Sequence, residues 1–218
     1  MSKQQVIFCD FDGTITINDN IIAIIQHFDP PGWKAIATKV LDTSMTIKEG
    51  VGLMFHLLPS SMQQEVIDFS ITNVEIRDGF AEFVQYCNDN NIILYVTSGG
   101  IDFFVYPTLA RYNIDTAHIY CNGSNFAGDT IEITWPHPCD EHCQRNCGMC
   151  KPTIMRQFPT EQYNRIVIGD SVTDFEAAKL ADKIYSRARL TEQCAELNLP
   201  YTDFATFHDI IAEMEREK

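Results

Sequence analysis

Three apolar runs rich in β-branched or aromatic residues stand out in the hydrophobic pattern. The first precedes Asp10, the second covers residues 92–96 and the third covers residues 165–168. Their composition predicts buried β-strands. Apolar residues at helical spacing predict helices over residues 78–88, 101–112, 152–158 and 174–181. Strands that alternate with helices indicate an α/β fold, with a Rossmann-like parallel sheet covered by helices on both faces.

Residues 16–76 show helical spacing throughout and contain no strand pattern. Four helices are predicted there, over residues 20–28, 33–41, 47–58 and 62–71, with proline breaks between some of them. We therefore predict a catalytic core of residues 1–15 and 77–218, and a helical cap domain of residues 16–76. An insert that leaves the carboxyl end of the first strand is expected to lie over the functional site.

Residues 119–135 alternate between apolar and polar side chains around Gly123 and Gly128-Asp129. This pattern predicts a small β-hairpin that projects beside the functional site. A cysteine-rich loop follows it, so that the hairpin and loop together span residues 119–150.

Composition limits the class of protein. The chain has 218 residues, of which 45% are hydrophobic, and can bury a substantial core. No apolar run approaches the roughly 18 residues of a membrane span, and Met1-Ser2-Lys3-Gln4-Gln5 leads into a strand rather than a signal peptide. We expect a cytoplasmic protein that has no membrane partner.

The net charge of −14 argues against a nucleic-acid partner, because phosphates would be repelled and no basic patch is visible. An acidic enzyme that acts on an anionic substrate would need local positive charge. A metal ion, a lysine or helix N-termini could supply it.

Asp10 and Asp12 lie two positions apart at the end of the first predicted strand, and Gly13 follows them. Alternate residues of an extended chain point the same way, so both carboxylates can face one pocket. Because close carboxylates repel each other, this spacing indicates either a hard metal ion or an acid paired with a nucleophile.

Two other strand ends carry polar residues, namely Thr97-Ser98-Gly99-Gly100 and Gly169-Asp170-Ser171-Val172-Thr173-Asp174. Ligands of open α/β sheets bind at the carboxyl ends of the strands. All three strand ends are therefore expected to meet at one site.

These motifs, together with the lone Lys151 that opens a helix, resemble the four ordered motifs of the haloacid dehalogenase superfamily of phosphatases. The resemblance covers nearly the whole chain outside residues 16–76, and the insert resembles the cap of the phosphoserine phosphatase branch. It implies a Mg2+-dependent phosphatase that hydrolyses a small-metabolite phosphate ester through an aspartyl phosphate.

The resemblance also implies roles for single residues. Asp10 would be the nucleophile, and Asp12 would be the general acid and then the general base. Three residues would bind the substrate phosphate: Ser98, Gly99 and Lys151. Mg2+ would be held by Asp10, by the backbone carbonyl of Asp12 and by Asp170, with Asp174 in support.

A non-enzymatic alternative is a phosphoryl-accepting receiver module, which also uses an acidic cluster, Mg2+, a hydroxyl group and a lysine. Receivers carry their acidic pair and their acceptor on different strands and lack a long insert. Repeated release of phosphate would distinguish a phosphatase from a receiver, which hydrolyses its phosphoryl group slowly.

Four cysteines follow the predicted hairpin at metal-ligand spacing: Cys139, Cys143, Cys147 and Cys150. Structural zinc is the first interpretation, because thiolates suit Zn2+ and do not suit Mg2+. Disulfides and free or redox-active thiols are the alternatives. The other cysteines lie in apolar patterns and are expected to be ordinary buried thiols: Cys9, Cys87, Cys121 and Cys194.

The substrate is less tightly constrained. Asp19 stands where the phosphoserine branch carries an amine-binding acidic residue, whereas Gly52 stands where that branch carries a carboxylate-binding arginine. The Cys147-Gly148-Met149-Cys150-Lys151 segment resembles the phosphatases of methionine salvage, which implies a methylthio-substituted enol or keto phosphate. Phosphoserine, phosphocholine and phosphoethanolamine remain alternatives. Four residues could form apolar walls or belong to the helix core: Phe28, Trp33, Met54 and Phe55.

Overall fold

The computed structural model describes residues 3–218 and contains a sheet of seven strands in the order β4-β3-β2-β1-β5-β6-β7. All neighbouring pairs are parallel except β3 and β4. The predicted α/β fold with a mostly parallel sheet is therefore confirmed. The strands are β1 (Gln4–Cys9), β2 (Ile93–Ile101), β3 (Ile119–Asn125), β4 (Glu132–Thr134), β5 (Tyr163–Gly169), β6 (Lys183–Ser186) and β7 (Thr202–Asp203).

Strand β1 lies at the centre of the sheet, between β2 and β5. Its last four residues are buried on both faces and contact two apolar clusters, one on each side of the sheet. A strand that is covered on both faces reads as a continuous apolar run rather than an alternating one, which is why the pattern before Asp10 was informative.

The helices agree best with the sequence pattern in the insert. Helices α1 and α2 have the predicted bounds, whereas α3 ends at His56, close to the Pro59 break. Within residues 3–218, the ten α-helices are α1 (Asn20–Phe28), α2 (Trp33–Leu41), α3 (Ile47–His56), α4 (Gln63–Thr72), α5 (Phe80–Asp89), α6 (Asp102–Leu109), α7 (Lys151–Met155), α8 (Phe175–Ala178), α9 (Ala188–Glu196) and α10 (Phe207–Arg216).

The insert leaves and re-enters the core at adjacent points. Thr16 and Ile76 form an antiparallel bridge, and the amide of Arg77 donates to the carbonyl of Ile15 at 2.8 Å. The two ends of the helical segment are thus held together beside the end of β1. The division of the chain into a core and a cap at these residues stays a prediction.

The predicted hairpin is present as the antiparallel pair β3–β4, but its first strand also belongs to the main sheet, where it pairs with β2. The hairpin is therefore an extension of the sheet rather than a separate projection. Its tip is tied to the insert, because Ser60 donates its amide to Asp129 and Ile131 donates its amide to Leu58, both at 2.9 Å. We call these two main-chain hydrogen bonds the hairpin strap.

Among residues 3–218, no helix combines the length and the apolar character that crossing a membrane requires.

Candidate active site

The chain turns sharply directly after Asp10, at the carboxyl end of β1. Gly13 has φ of 81°, and a Cβ atom built on it would lie 2.3 Å from Oδ2 of Asp170. Only glycine fits this position, because any side chain would be both strained and in collision with a carboxylate. β1 and β5 are paired along their length, and the turn places Gly13 directly against Asp170 at the end of β5.

Lys151 lies between two aspartates and joins the distant strand ends. Its Nζ atom is 2.5 Å from Oδ1 of Asp10 and 2.5 Å from Oδ1 of Asp174. All three side chains are buried. Burial alone would lower the pKa of Lys151, but the two carboxylates outweigh it and raise that pKa above its ordinary value. Lys151 is therefore a fixed positive charge at the site.

Asp174 also organises the loop after β5. Its Oδ2 atom accepts hydrogen bonds from the amides of Asp170 and Ser171, at 3.1 and 3.0 Å. One carboxylate thus holds Lys151 with one oxygen and the Asp170 loop with the other. Gly169 is needed beside it, because a Cβ atom there would lie 2.4 Å from Cγ of Asp174.

Asp10, Asp170 and Asp174 have carboxylate oxygens that all lie within 4.8 Å of one another. Burial and then the charge of Asp174 raise the pKa of Asp10 well above its usual range, and they raise the pKa of Asp170 to about 6. Three carboxylates face one lysine, so negative charge is in excess. Oxygen donors with uncompensated negative charge fit a hard divalent cation such as Mg2+.

Asp12 is held by Asn20 and lies against Gly100 of β2. Its Oδ1 atom accepts hydrogen bonds from the backbone amide and the side-chain amide of Asn20, at 2.9 and 2.6 Å. Burial and the charge of Asp19 nevertheless raise the pKa of Asp12 to about 7. Its side chain does not join the carboxylate cluster formed by the other three aspartates.

Ser98 and Gly99 lie at the carboxyl side of β2, next to Asp12. The amide of Gly100 donates to Oγ of Ser98 at 2.8 Å, and a Cβ atom on Gly100 would lie 2.7 Å from Oδ2 of Asp12. Gly99 is exposed and its carbonyl accepts from Nδ2 of Asn122 at 2.6 Å. The loop therefore approaches Asp12 closely while presenting an open backbone at Gly99.

Sequence reasoning missed the groups that hold these loops. Arg77 donates from Nε to the carbonyl of Thr14 at 2.7 Å and from Nη2 to the carbonyl of Gly13 at 2.8 Å. Arg187 donates to the same Gly13 carbonyl at 2.7 Å. Neither arginine lies in a recognisable motif. The one available signal was the position of Arg77 at the end of the insert, where the chain returns to the core.

Asp19 serves as the N-cap of α1, where its Oδ1 atom accepts from the amide of Ile22 at 3.0 Å. Gly52 on α3 faces Trp135, since a Cβ atom on Gly52 would lie 3.5 Å from Cζ2 of the indole. Trp135 also lies against Gly148 of the cysteine-rich loop. An aromatic ring thus occupies the neighbourhood of the position where an arginine was expected.

The four apolar candidates belong largely to the packing of the insert. Met54 and Phe55 are buried in the main apolar cluster, where Phe55 packs edge-on against Phe103. Phe28 and Trp33 are partly buried against that cluster. Met54 and Phe55 are therefore explained as core residues. Trp135, which faces Gly52, is better placed than these four residues to form an apolar wall of the site.

The four clustered cysteines come together in the loop before α7, and their Sγ atoms all lie within 4.8 Å of one another. All eight cysteines of the chain are free, so the disulfide alternative has no support. The other four are buried, as expected for ordinary core thiols: Cys9, Cys87, Cys121 and Cys194.

A family model described as haloacid dehalogenase-like hydrolase matches residues 7–179. A protein of Brevibacillus brevis named 2-hydroxy-3-keto-5-methylthiopentenyl-1-phosphate phosphatase is 52% identical over 99% of this chain and 97% of its own length. A protein of the same name from Geobacillus kaustophilus is 51% identical over 99% and 98%.

Solved structures of phosphoserine phosphatase share the fold. A substrate-bound complex aligns with a TM-score of 0.72 at 16% identity, covering 98% of this chain and 99% of that one. A phospho-aspartyl intermediate analogue aligns with a TM-score of 0.71 at 17% identity, covering 97% and 99%. These alignments confirm the predicted arrangement of the sheet and its helices.

Proposed function

Because the chain belongs to the haloacid dehalogenase-like hydrolase family, we propose that it is a phosphatase that hydrolyses a small-metabolite phosphate monoester. The observation that carries the proposal is the arrangement around Asp10. This buried carboxylate contacts Lys151, and Asp12 lies two residues further along the same turn with its pKa raised to about 7.

Asp10 is the proposed nucleophile. Its carboxylate oxygen attacks phosphorus, the bond from phosphorus to the ester oxygen breaks, and an aspartyl phosphate forms. Water then attacks that phosphorus, the acyl phosphate bond breaks, and inorganic phosphate leaves with Asp10 regenerated. The hydrogen bond from Lys151 holds the attacking carboxylate in one orientation.

Asp12 is the proposed general acid and base. In the first step its proton goes to the departing alcohol, and in the second step its carboxylate takes a proton from the attacking water. Both directions need comparable populations of the two protonation states. The pKa of about 7 satisfies this need near neutral pH, and Asn20 fixes one oxygen so that the other remains available to the reaction.

Ser98, the backbone at Gly99, and Lys151 are the proposed phosphate-binding groups. Lys151 supplies positive charge close to the attacking oxygen, and its raised pKa keeps it protonated. The exposed backbone at Gly99 allows close approach of a phosphoryl group, because no side chain covers it. Asn122 holds this loop in place through the Gly99 carbonyl.

We propose Mg2+ as the cofactor, held by the side chains of Asp10 and Asp170 and by the backbone carbonyl of Asp12. When bound, Mg2+ would neutralise the excess carboxylate charge and polarise a phosphoryl oxygen. Asp174 supports this set through Lys151 and the loop amides. The acidity of the whole chain makes such local compensation necessary for an anionic substrate.

The proposed substrate is 2-hydroxy-3-keto-5-methylthiopentenyl-1-phosphate, an intermediate of methionine salvage. The support is the name carried by relatives that match nearly the full chain at about half identity. Gly52 facing Trp135 agrees with it, because this surface offers an aromatic wall to a methylthio tail and position 52 carries no guanidinium for a carboxylate. The cation at this surface is Lys48, whose Nζ lies 5.5 Å from the centroid of the Trp135 ring. The N-cap role of Asp19 also engages the carboxylate that an amine-bearing substrate would require.

The test is release of phosphate from this ester, phosphoserine, phosphocholine and phosphoethanolamine, each with and without Mg2+. We expect Mg2+-dependent multiple turnover, with the highest kcat/KM for the methylthio ester. An Asp10→Asn variant, which changes little volume, should lose at least about 1000-fold in kcat. A single slow turnover would favour the receiver alternative, and equal or better hydrolysis of phosphoserine would overturn the substrate assignment alone.

A further inference from the structure

The loop of residues 135–150 contains neither a helix nor a strand, yet it holds buried residues at fixed positions. A loop of this length without regular structure needs another source of stability. It has no disulfide, since all four of its cysteines are free. The loop also carries the four clustered thiols and ends directly at Lys151, so the source of its stability bears on the active site.

We propose that Cys139, Cys143, Cys147 and Cys150 bind one structural Zn2+ that positions Lys151. The distances between the sulfur atoms fit this ion. Four thiolates at about 2.3 Å from zinc in a tetrahedron lie about 3.8 Å from one another. The Sγ atoms of Cys143 and Cys147 are 3.8 Å apart, and all four Sγ atoms lie within 4.8 Å of one another. A disulfide would require about 2.05 Å.

The backbone around Cys147 is folded to present sulfur atoms inward. Asn146 and Gly148 both have positive φ, at 54° and 81°, and the amide of Cys147 donates to Sγ of Cys139 at 3.4 Å. This hydrogen bond holds the Cys139 sulfur against the backbone of the turn that carries Cys147. Asparagine and glycine are the residues that tolerate this left-handed conformation, so the chain can turn tightly on either side of Cys147.

Side chains fasten the same loop to α7. Arg156 donates to both oxygens of Asp140, at 2.7 and 2.5 Å, and the amide of Asp140 donates to Oγ1 of Thr153 at 3.0 Å. The first cysteine is therefore adjacent to a residue pinned to α7, and the last cysteine immediately precedes that helix. A metal bound across the four thiols would close the loop onto the start of α7.

Cys150 is fully buried and is the residue from which α7 starts. Its neighbour Lys151 must reach both Asp10 and Asp174 at 2.5 Å. Helix α7 has only five residues, so it gives the lysine little anchorage of its own. Zinc at Cys150 would fix the backbone that carries Lys151. The zinc would be a positioning element, separate from the carboxylate site proposed for Mg2+.

The first experiment measures metal content, which does not depend on the proposed phosphatase activity. We expect about one zinc per chain by elemental analysis of the purified protein, and four thiols that react with a thiol reagent only after zinc is removed. Replacement of zinc by Co2+ should give the intense visible absorption of a tetrahedral thiolate site. Protein without zinc or Co2+ binding, and with all four loop thiols reactive, would overturn the site.

The second experiment tests the link to Lys151. Cys143→Ser should lose zinc and lower kcat about tenfold or more, whereas the matched control Cys87→Ala, a buried cysteine elsewhere, should keep both. Circular dichroism checks that each variant is folded. In a Lys151→Ala background, Cys143→Ser should cause little further loss, because the residue it positions is gone.

If the wild-type protein binds zinc but Cys143→Ser lowers kcat as much in the Lys151→Ala background as it does alone, zinc does not act through Lys151. That result would overturn the positioning role while leaving the metal site in place. If Cys143→Ser does not fold, the comparison is made on the wild-type protein before and after removal of zinc by a chelator and restoration with Zn2+. Unchanged kcat in the zinc-free, folded protein would then likewise overturn the positioning role. This inference rests on the proposed role of Lys151, whereas the metal measurement stands alone.

Discussion

The environment of Asp12 leads to a prediction about the pH dependence of activity. Its carboxyl has a pKa of about 7, raised by burial and by Asp19, although two hydrogen bonds from Asn20 oppose that rise. A general acid is active only while it is protonated, so its contribution falls as pH rises through its pKa.

We therefore predict that kcat for an ester with a poor leaving group declines above about pH 7. A nitrophenyl phosphate, whose leaving group needs no proton, should show a much weaker decline. The comparison of the two pH profiles at saturating Mg2+ is the measurement. In Asp12→Asn the difference between the profiles should disappear. Parallel profiles for both esters in the wild-type protein would argue against Asp12 as the acid.

Arg77 shows how a residue without a motif can define a catalytic turn. It is buried and donates to the carbonyls of Gly13 and Thr14, which belong to the turn that carries Asp12. Lysine cannot reproduce this two-carbonyl geometry, because it lacks the planar guanidinium. The Gly13 carbonyl would keep its hydrogen bond from Arg187, whereas the Thr14 carbonyl would lose the one from Arg77. Leaving a buried carbonyl without a donor costs about 1–3 kcal/mol.

We predict that Arg77→Lys lowers the free energy of unfolding by about 1–3 kcal/mol and reduces kcat, since the turn that positions the aspartates loosens. Arg111→Lys is the matched control, because Arg111 is exposed, and it should change either quantity little. Denaturant unfolding and steady-state kinetics measure the two effects. An unchanged unfolding curve for Arg77→Lys would contradict the clamping role.

At the scale of elements, helix α3 and the hairpin meet at Gly52 and Trp135. A Cβ atom on Gly52 would lie 3.5 Å from the indole, which is ordinary van der Waals contact, so a side chain can be accommodated there. Lys48 already lies over this ring, with Nζ 5.5 Å from its centroid. An arginine at position 52 would add a guanidinium near the aromatic ring, where cations bind favourably, and would restore the carboxylate-binding group of the phosphoserine branch.

We predict that Gly52→Arg raises kcat/KM for phosphoserine relative to the methylthio ester by about 10- to 100-fold, the range expected for one charge contact. Gly52→Met, which has similar length and no charge, should not produce this change. Measurement of kcat/KM for both esters with both variants tests whether the charge at position 52 controls the choice of substrate. A similar shift with methionine would show that bulk rather than charge controls the choice.

The elements also show where sequence patterns fail. The insert helices were predicted well because proline breaks and helical spacing are local signals. Strand β2 was expected to end at Val96 but continues to Ile101, because Ile101 still pairs with Asn122 beyond an irregular register. The predicted helix over 101–112 accordingly starts one residue late and gives way to a tighter turn after Leu109. The ends of such strands and helices depend on pairing partners that lie far away in the chain, which local sequence patterns do not show.

Residues 182–218 were left without predicted elements, although β6, β7, α9 and α10 lie there. Strand β7 has only two residues, which is too short for any periodicity to appear. For the site, the motif residues at three strand ends were predicted to converge. Asp10 after β1 and Asp170 after β5 lie in one carboxylate cluster, and Gly100 of β2 closely approaches Asp12. Asn20 holds the Asp12 carboxylate, and Arg77 and Asn122 hold backbone carbonyls. No spacing rule reveals these contacts.

At the scale of the whole molecule, the charge of −14 surrounds a site whose positive groups are buried. Long-range repulsion of an anionic ester is screened by salt, whereas the buried contacts to Lys151 are screened much less. We predict that kcat/KM rises severalfold between about 10 and 150 mM KCl at saturating Mg2+, while kcat stays nearly constant. A fall of kcat/KM with salt would show that local attraction dominates the encounter.

The hairpin strap ties the insert to the sheet at a second place, far along the chain from the Thr16–Ile76 bridge. If the insert opens to admit substrate, either Ser60 and Ile131 lose their main-chain acceptors or the β3–β4 tip travels with the helices. Amide hydrogen exchange distinguishes these two motions. Fast exchange at Ser60 and Ile131, slowed when a phosphate analogue is bound, would mean that the strap opens as a latch. Protection that persists through turnover would mean that the β3–β4 tip and the insert helices move together as one rigid body, with a hinge at the edge of the sheet.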